Sequence, residues 1–138
     1  MSPSLVALLG YSLWTLALLG VIAALRSRLT LSGARAANSF DPTGSDVSPF
    51  SSRLCRAHAN CYEFFPVFGG LILVAALSNS GHITDPTAAW ALLARVGQSC
   101  VHIASTSAAA VTVRFGFFLA QFVIAAYWGV RLVGVAAA

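Results

Sequence analysis

The chain has 138 residues, of which 58% are hydrophobic and only 9% are charged, and its mean hydropathy is +0.81. Soluble domains carry charge on about a quarter of their residues, so this composition excludes an ordinary water-soluble protein and predicts one integral-membrane domain. The net charge is +4, but several arginines lie inside or beside apolar runs rather than together on one exposed face. Nucleic acid is therefore not an expected partner.

Four apolar segments predict an all-α, four-helix membrane bundle that occupies the whole chain, 1–138. Ser48-Pro49 predicts the start of the second helix, because serine is a good N-cap and proline suits the first helical position. Asp85-Pro86 repeats this pattern and predicts the start of the third helix. The approximate bounds expected for the four helices are 4–26, 49–77, 86–107 and 111–133.

The long polar segment between the first two helices predicts how the protein is oriented. It carries Arg26, Arg28 and Arg35, and loops rich in arginine stay on the cytoplasmic side. The next loop has one histidine and no arginine, as an outer loop should. The use of arginine without lysine favours a bacterial source. We therefore expect a multi-pass protein of a bacterial inner membrane, in contact with lipid, with its first loop cytoplasmic and both termini outside.

One polar helix face lies at the mouth of an uncharged run in the second helix. Arg56, Asn60 and Glu63 are spaced i, i+4 and i+7, so a cation, an amide and an anion point the same way. Ionisable residues at membrane depth usually mark a functional site and face protein or water rather than lipid. This face is therefore a candidate binding site.

Polar residues of the last two helices are candidates to meet that face. Arg95, Gln98 and His102 share one face of the third helix, and Arg114 lies at the entrance of the fourth. The combined set has more arginines than carboxylates. This surplus of positive charge suits an anionic ligand such as a carboxylate or a thiolate.

A purely structural role for these groups stays open. Polar residues in membrane bundles often only bond helices to one another, and Glu63 with an arginine partner fits that interpretation equally well. Arg114 lies near a helix end and can extend to the lipid headgroups, as Arg26, Arg28 and Arg131 are also expected to do.

Other chemistries have little support in the sequence. It has no phosphate-binding glycine loop, and its three cysteines form no CxxC pair, so neither a nucleotide site nor a metal site is expected. A metal site would require His58, His102 and Glu63 to converge. An ion pathway is the least favoured function, because the four segments show no inverted repeat.

One motif in the second helix resembles the signature of the MAPEG family, the membrane-associated proteins of eicosanoid and glutathione metabolism. It reads RxxRAHxNxxExxP and is formed by Arg53, Arg56, Ala57, His58, Asn60, Glu63 and Pro66. The resemblance extends over nearly the whole chain. It implies a homotrimer of four-helix subunits with glutathione bound between neighbouring subunits.

The resemblance also implies roles for individual residues. Glu63 would take the amino group of glutathione, and Arg114 would be the catalytic residue that stabilises the thiolate. The residues expected to bind glutathione are Arg26, Arg56, Asn60, Glu63, Arg95 and His102.

Four positions depart from the prostaglandin synthase of this family. Ala59 stands where that enzyme has a further glutathione-binding arginine, and Phe115 stands where it has serine. Gln98 and His102 replace its histidine and tyrosine. These departures argue against prostaglandin synthesis. We expect a glutathione transferase or peroxidase acting on lipophilic electrophiles; the alternative is a non-catalytic relative whose polar faces serve assembly or lipid binding.

Overall fold

The computed structural model describes residues 1–137, and these residues form four α-helices without any strand. The helices are α1 (Pro3–Leu31), α2 (Pro49–Leu77), α3 (Gly81–Ala104) and α4 (Ala108–Ala136). The predicted all-α, four-helix architecture is therefore confirmed.

Serine N-caps set the start of three of the helices. The side chains of Ser2, Ser48 and Ser107 each accept a hydrogen bond from the backbone N–H three residues further on, in α1, α2 and α4 respectively. Such a cap satisfies one of the backbone donors that every helix start leaves unpaired. The predicted bounds of α2, from residue 49 to residue 77, agree with the structure.

The start of α3 differs from the sequence-based expectation. The helix begins at Gly81 rather than at residue 86, and Pro86 lies inside it at the cost of one backbone hydrogen bond. The Asp85 side chain does not cap α3. Its Oδ1 instead accepts from the backbone N–H of Ser4 at 3.0 Å, so it caps the start of α1.

Four other helix ends lie three or more residues from expectation, among them the end of α4, which continues to Ala136 rather than stopping at residue 133. α1 continues to Leu31 rather than stopping at residue 26, and it ends just before Gly33, whose φ of 72° is the left-handed conformation common after helices. α3 ends at Ala104 and α4 begins at Ala108, because Ser105 and Ser107 are extended and break the helical path.

The helices differ in how well they suit a bilayer. By length and composition, α1, α2 and α4 are able to cross a membrane, and we conclude that the chain is a membrane protein. α3 has 24 residues, about 36 Å of helix, which is long enough. It is less apolar because one of its faces buries Arg95, Gln98, Ser99 and His102. A fourth membrane span at α3 stays a prediction.

α2 and α3 each pack against all three other helices, and α3 does so most extensively. The core beside it contains an aromatic row in which Phe68 contacts both Tyr11 and Trp128, with ring centroids 4.9 and 5.7 Å apart. Large apolar side chains of α1 and α4 cover the outside of the bundle and are available to lipid. The polar face of α3 is therefore directed towards its neighbours.

The loop between α1 and α2 is folded against the end of α1. Arg35 forms an ion pair with Asp46 at 2.7 Å, and Arg26 donates from Nη2 to the carbonyl of Asp41 at 2.9 Å. The guanidinium groups of Arg26 and Arg35 both lie over the ring of Phe40, at 5.4 Å and 5.2 Å from its centroid, respectively. These contacts hold Arg26 towards the loop.

Candidate functional site

Arg95 is a deeply buried arginine at the centre of the bundle. Its side chain is 2% exposed, and its guanidinium lies over the rings of Phe64 and Tyr11, at 5.0 and 5.7 Å from their centroids. Within residues 1–137 it has no ion-pair partner, and its buried Nε atom has no hydrogen-bond acceptor. A buried charge without a counter-ion is costly, so this position calls for an anionic group.

Arg95 lines a cavity of about 160 Å³ between α2, α3 and α4. A second cavity of about 230 Å³ adjoins it, and Asn60, Gln98 and Phe118 line both. We refer to the two together as the α2–α4 groove. The other residues lining it are Glu63, Phe64, Arg95, His102, Val111, Arg114 and Phe115.

Asn60 and His102 connect α2 to α3 inside this groove. The Asn60 Nδ2 atom lies 3.2 Å from Nδ1 of His102. An amide nitrogen can only donate, so in this arrangement Nδ1 accepts, as it does in the tautomer that carries its proton on Nε2. The Asn60 carbonyl oxygen is not used in this bond and remains an acceptor for a ligand.

A second amide pair fixes the orientation of Gln98. Gln121 of α4 is 1% exposed, and its Nε2 donates to the carbonyl of Phe117 at 2.8 Å and to Oε1 of Gln98 at 3.1 Å. A carbonyl oxygen can only accept a hydrogen bond. The Gln121 atom next to the Phe117 carbonyl is therefore the amide nitrogen. Gln98 therefore uses its oxygen towards Gln121 and keeps its NH₂ group as a donor for the groove.

Gln121 was not among the residues that sequence reasoning selected for the site. It lies seven positions after Arg114, so the two share one helix face. That spacing on an otherwise apolar helix is the signal that identifies it, although the spacing alone does not show that it bonds to Gln98.

Arg114 and Glu63 complete the charges of the groove. The Nε atom of Arg114 is buried and has no hydrogen-bond partner within the described residues, whereas Glu63 is exposed at the mouth of the groove. Glu63 forms no ion pair within residues 1–137. The arginine partner that the structural interpretation requires for Glu63 is thus not found within one subunit.

The structure separates two expected site residues from the others. Asn60, Glu63, Arg95, His102 and Arg114 all line the α2–α4 groove. Arg56 instead lines a pocket between the loop and α2, and Arg26 lines another pocket beside Phe40. The helical spacing of Arg56 with Asn60 and Glu63 is real, but the loop packs next to Arg56 and not next to the other two.

The groove has the chemistry of an anion site. It presents two arginines, the NH₂ group of Gln98 and the Nε2–H of His102, against the single carboxylate of Glu63 at its mouth. A guanidinium next to a thiol favours the thiolate form, and a low-dielectric setting strengthens that effect. Within residues 1–137, no three His, Cys, Asp or Glu side chains are grouped closely enough to hold a metal ion.

Comparison with known proteins agrees with the motif in α2. The profile of the MAPEG family matches residues 4–134, which include every residue of the groove and all but the outermost residues of the four helices. No curated protein and no solved structure gives a significant match to the chain. Because the match covers far more than half of the 138 residues, the chain belongs to the MAPEG family.

Proposed function

We propose that this protein is a membrane-bound, glutathione-dependent transferase or peroxidase that acts on lipophilic electrophiles. The observation that carries the proposal is the buried guanidinium of Arg95, which lines the groove without a counter-ion. Burying an unpaired charge costs several kcal/mol, whereas contacts with two aromatic rings return only about 1 to 2 kcal/mol each. The imbalance is removed if a ligand supplies a carboxylate.

Glutathione fits the set of donors and acceptors in the groove. Its carboxylates suit Arg95 and the NH₂ group of Gln98, and its amino group suits the exposed carboxylate of Glu63 at the groove mouth. Asn60 offers a carbonyl oxygen to a peptide N–H. The buried, unpartnered Nε atoms of Arg95 and Arg114 are the donors that such a ligand would satisfy.

Arg114 is the catalytic residue in this proposal. Its guanidinium holds the glutathione sulfur as a thiolate, which is the nucleophilic form. In the transferase reaction the thiolate forms a C–S bond with the electrophilic carbon, and the leaving group departs with the bonding electrons. Phe115 and Phe118 line the same cavity as Arg114 and provide an apolar surface for the electrophile.

We also propose a homotrimer in which a neighbouring subunit completes each groove, and the charges that one subunit leaves unpaired support this arrangement. Glu63 and the mouth of the groove are exposed, and Arg26 does not reach the groove of its own subunit. We assign Arg26 to the groove of the neighbour. Arg56 lines the loop pocket of its own subunit, and its role in binding glutathione stays a prediction.

The groove also supports the proposed orientation in a bacterial inner membrane. Arg114 lies in the second turn of α4, on the same side of the bundle as the loop between α1 and α2. Glutathione is a cytoplasmic thiol. A cytoplasmic first loop therefore gives the groove access to its ligand, and it leaves both termini outside.

A non-catalytic role in assembly is the second candidate. Asn60–His102 and Gln98–Gln121 are bonds between helices, and such bonds stabilise membrane bundles without any ligand. This role accounts for those bonds, but not for the buried Oε1 atom of Gln121, which has no partner within the described residues. It does not account for two arginines with unpartnered buried nitrogen atoms.

The test is isothermal calorimetry of glutathione with the purified protein in detergent, alongside Arg114→Ala and Arg131→Ala. Arg131 is a matched control, because it lies on the same helix and, among the described residues, its side chain bonds only to Tyr127. Saturable binding that Arg114→Ala loses and Arg131→Ala keeps supports the proposal. Absence of binding at millimolar glutathione, in a protein shown to be folded, contradicts it.

A further inference from the structure

One ring nitrogen of His102 is left without a partner by the bundle. The side chain is 6% exposed, and its Nδ1 atom lies 3.2 Å from Nδ2 of Asn60. The other nitrogen, Nε2, makes no hydrogen bond within residues 1–137. Unlike the Nε atom of Arg114, it is not completely covered by protein. Nε2 is therefore open to the cavity of about 230 Å³ that His102 lines.

The contact with Asn60 determines what Nε2 offers to that cavity. In the observed arrangement Nδ1 accepts from the amide, so a neutral imidazole carries its proton on Nε2. Such a ring donates a hydrogen bond into the cavity without adding a charge next to Arg114. A neutral histidine in this form acts as a hydrogen-bond donor to oxygen atoms in other enzyme sites.

The positions of His102 and Arg114 indicate which atom accepts this hydrogen bond. The two residues line the same cavity but belong to different helices, α3 and α4, so they form different walls of it. In the proposed function Arg114 holds the attacking sulfur, and Phe115 and Phe118 hold the electrophile. In a displacement reaction the leaving atom departs on the side away from the attacking atom. A donor on another wall than Arg114 therefore suits the leaving atom.

We propose, on the basis of the proposed function, that His102 is a second catalytic residue and donates from Nε2 to the oxygen that leaves when a lipophilic hydroperoxide is reduced. An alkoxide concentrates its negative charge on one oxygen atom and is a strong hydrogen-bond acceptor, whereas a departing chloride ion gains much less from such a donor. His102 thus makes the protein selective for hydroperoxides over organic halides.

The reaction balances with two molecules of glutathione. The thiolate sulfur bonds to the terminal oxygen of the hydroperoxide, the O–O bond breaks, and its electron pair leaves on the alkoxide oxygen. The alkoxide takes up the proton that the thiol released, which gives an alcohol. A second glutathione then displaces water from the sulfenic acid and forms the disulfide. Sulfur is oxidised and the peroxide is reduced.

The experiment compares two substrates on one preparation of the intact protein in detergent, at saturating glutathione. Cumene hydroperoxide has an oxygen leaving group, and chlorodinitrobenzene has a chloride. His102→Leu should lower the ratio of the hydroperoxide rate to the chloride rate about 100-fold, the usual loss when one donor to a developing oxyanion is removed. Any loss of folded protein cancels from this ratio.

Two further variants separate donation from packing. His102→Gln keeps an N–H donor and should recover most of the ratio that His102→Leu loses. His82→Leu is the matched control, because His82 is an exposed histidine at the other end of α3 and lines no part of the cavity. Both of its rates should equal those of the wild type.

Nitrogen NMR of histidine-labelled protein tests the tautomer directly. The chain has three histidines, so the signals of His102 are identified by their loss in His102→Leu. We expect a protonated Nε2 and an unprotonated Nδ1. The reverse assignment overturns the proposal, because Nε2 would then have no proton to donate.

The rates separate this proposal from the proposed function. Equal losses with both substrates in His102→Leu would mean that His102 contacts glutathione itself, and they would overturn this proposal alone. So would a wild type that conjugates the chloride and leaves the hydroperoxide unreduced. A folded wild type that neither binds glutathione nor acts on either substrate would overturn both.

Discussion

The two ends of α3 use polar residues in opposite ways. At the outer end, the Ser4 hydroxyl contacts Thr84 at 2.7 Å and donates to Asp85 at 2.6 Å, and Trp128 donates to Thr87 at 2.9 Å. From the middle of α3 towards the loop, in the α2–α4 groove, Arg95 of α3 and Arg114 of α4 have buried nitrogen atoms without partners within the described residues. We call these the outer cluster and the groove end.

The difference shows how a structural polar group in a membrane bundle is told apart from a functional one. A group whose hydrogen bonds are all made within the bundle stabilises the fold. A group that stays buried and unpaired destabilises the empty protein and is retained for a ligand or a neighbouring subunit. Mutations at the outer cluster should therefore change stability, and mutations at the groove end should change binding.

Arg114→Ala should have the largest effect. We expect conjugation of a lipophilic electrophile to fall by a factor of about 100 to 1,000, the usual cost of removing one group that stabilises developing negative charge. Thermal unfolding should be almost unchanged, because Arg114 makes no hydrogen bond within residues 1–137. Steady-state kinetics and a melting curve on the same preparation measure both. If the variant melts at a much lower temperature and retains its activity per folded molecule, Arg114 is a structural residue like those of the outer cluster.

Asp85→Ala tests the outer cluster. It removes the acceptor of two hydrogen bonds from Ser4, one of which caps α1, and should destabilise the protein by about 1 to 3 kcal/mol. Denaturant or thermal unfolding in detergent measures this loss. Glutathione affinity at a temperature where the variant is folded should equal that of the wild type. A large change in affinity would show that the two ends are coupled.

Gln121→Met should have a smaller effect, and on binding rather than on the chemical step. Without the amide of Gln121, the Gln98 side chain is free to rotate. We expect the affinity for glutathione to fall several-fold, in line with about 1 kcal/mol for one hydrogen bond. If Gln121 acts through Gln98, the same change should have no further effect in a Gln98→Leu background. Calorimetry of the four proteins measures this coupling.

Thr87→Val is the matched control for Gln121→Met. It removes the hydrogen bond from Trp128, which also joins α3 to α4 but lies in the outer cluster. It should lower the melting temperature and leave glutathione affinity unchanged. Equal losses of affinity in both variants would mean that any weakening of the α3–α4 interface impairs binding.

Asp46→Asn should have the smallest effect, because the loop lies outside both regions. A hydrogen bond from the backbone N–H of Asp41, with the neighbouring Arg35, holds the pKa of the Asp46 carboxyl below its ordinary value of 3.8. Since the folded pKa is lowered, the stabilisation is present above that ordinary value and is lost as the pH falls through the lowered one. The melting temperatures of wild type and variant should therefore converge in acid. A constant difference at every pH would exclude this carboxylate as the cause.

The sequence predicted most of the fold because its signals are local. Ser48 and Pro49 defined the start of α2 through cap chemistry that depends only on neighbouring residues. The same pattern at Asp85-Pro86 gave the wrong start for α3, because the Asp85 carboxylate bonds to Ser4 of another helix. That contact is between residues far apart in the chain, and a local pattern does not contain it.

The site was predicted in part for the same reason. Helical spacing placed Asn60 and Glu63 on one face, and the structure brings both to the groove. Helical spacing also placed Arg56 on this face, but it did not predict which residues would pack beside it. The loop that lies next to Arg56 is not predictable from the sequence of α2 alone. Gln121 was missed because one amide in an apolar helix has the same sequence pattern whether or not it orients another residue.

The most direct test of this account is the melting temperature of the wild type and of Arg95→Met, each with and without glutathione. Methionine keeps much of the length and apolar surface of arginine and removes the buried charge. We predict that the empty variant melts no earlier than the wild type, and that glutathione raises the melting temperature of the wild type only. If the empty variant melts markedly earlier, Arg95 is a structural residue like those of the outer cluster, and the groove is not held ready for an anionic ligand.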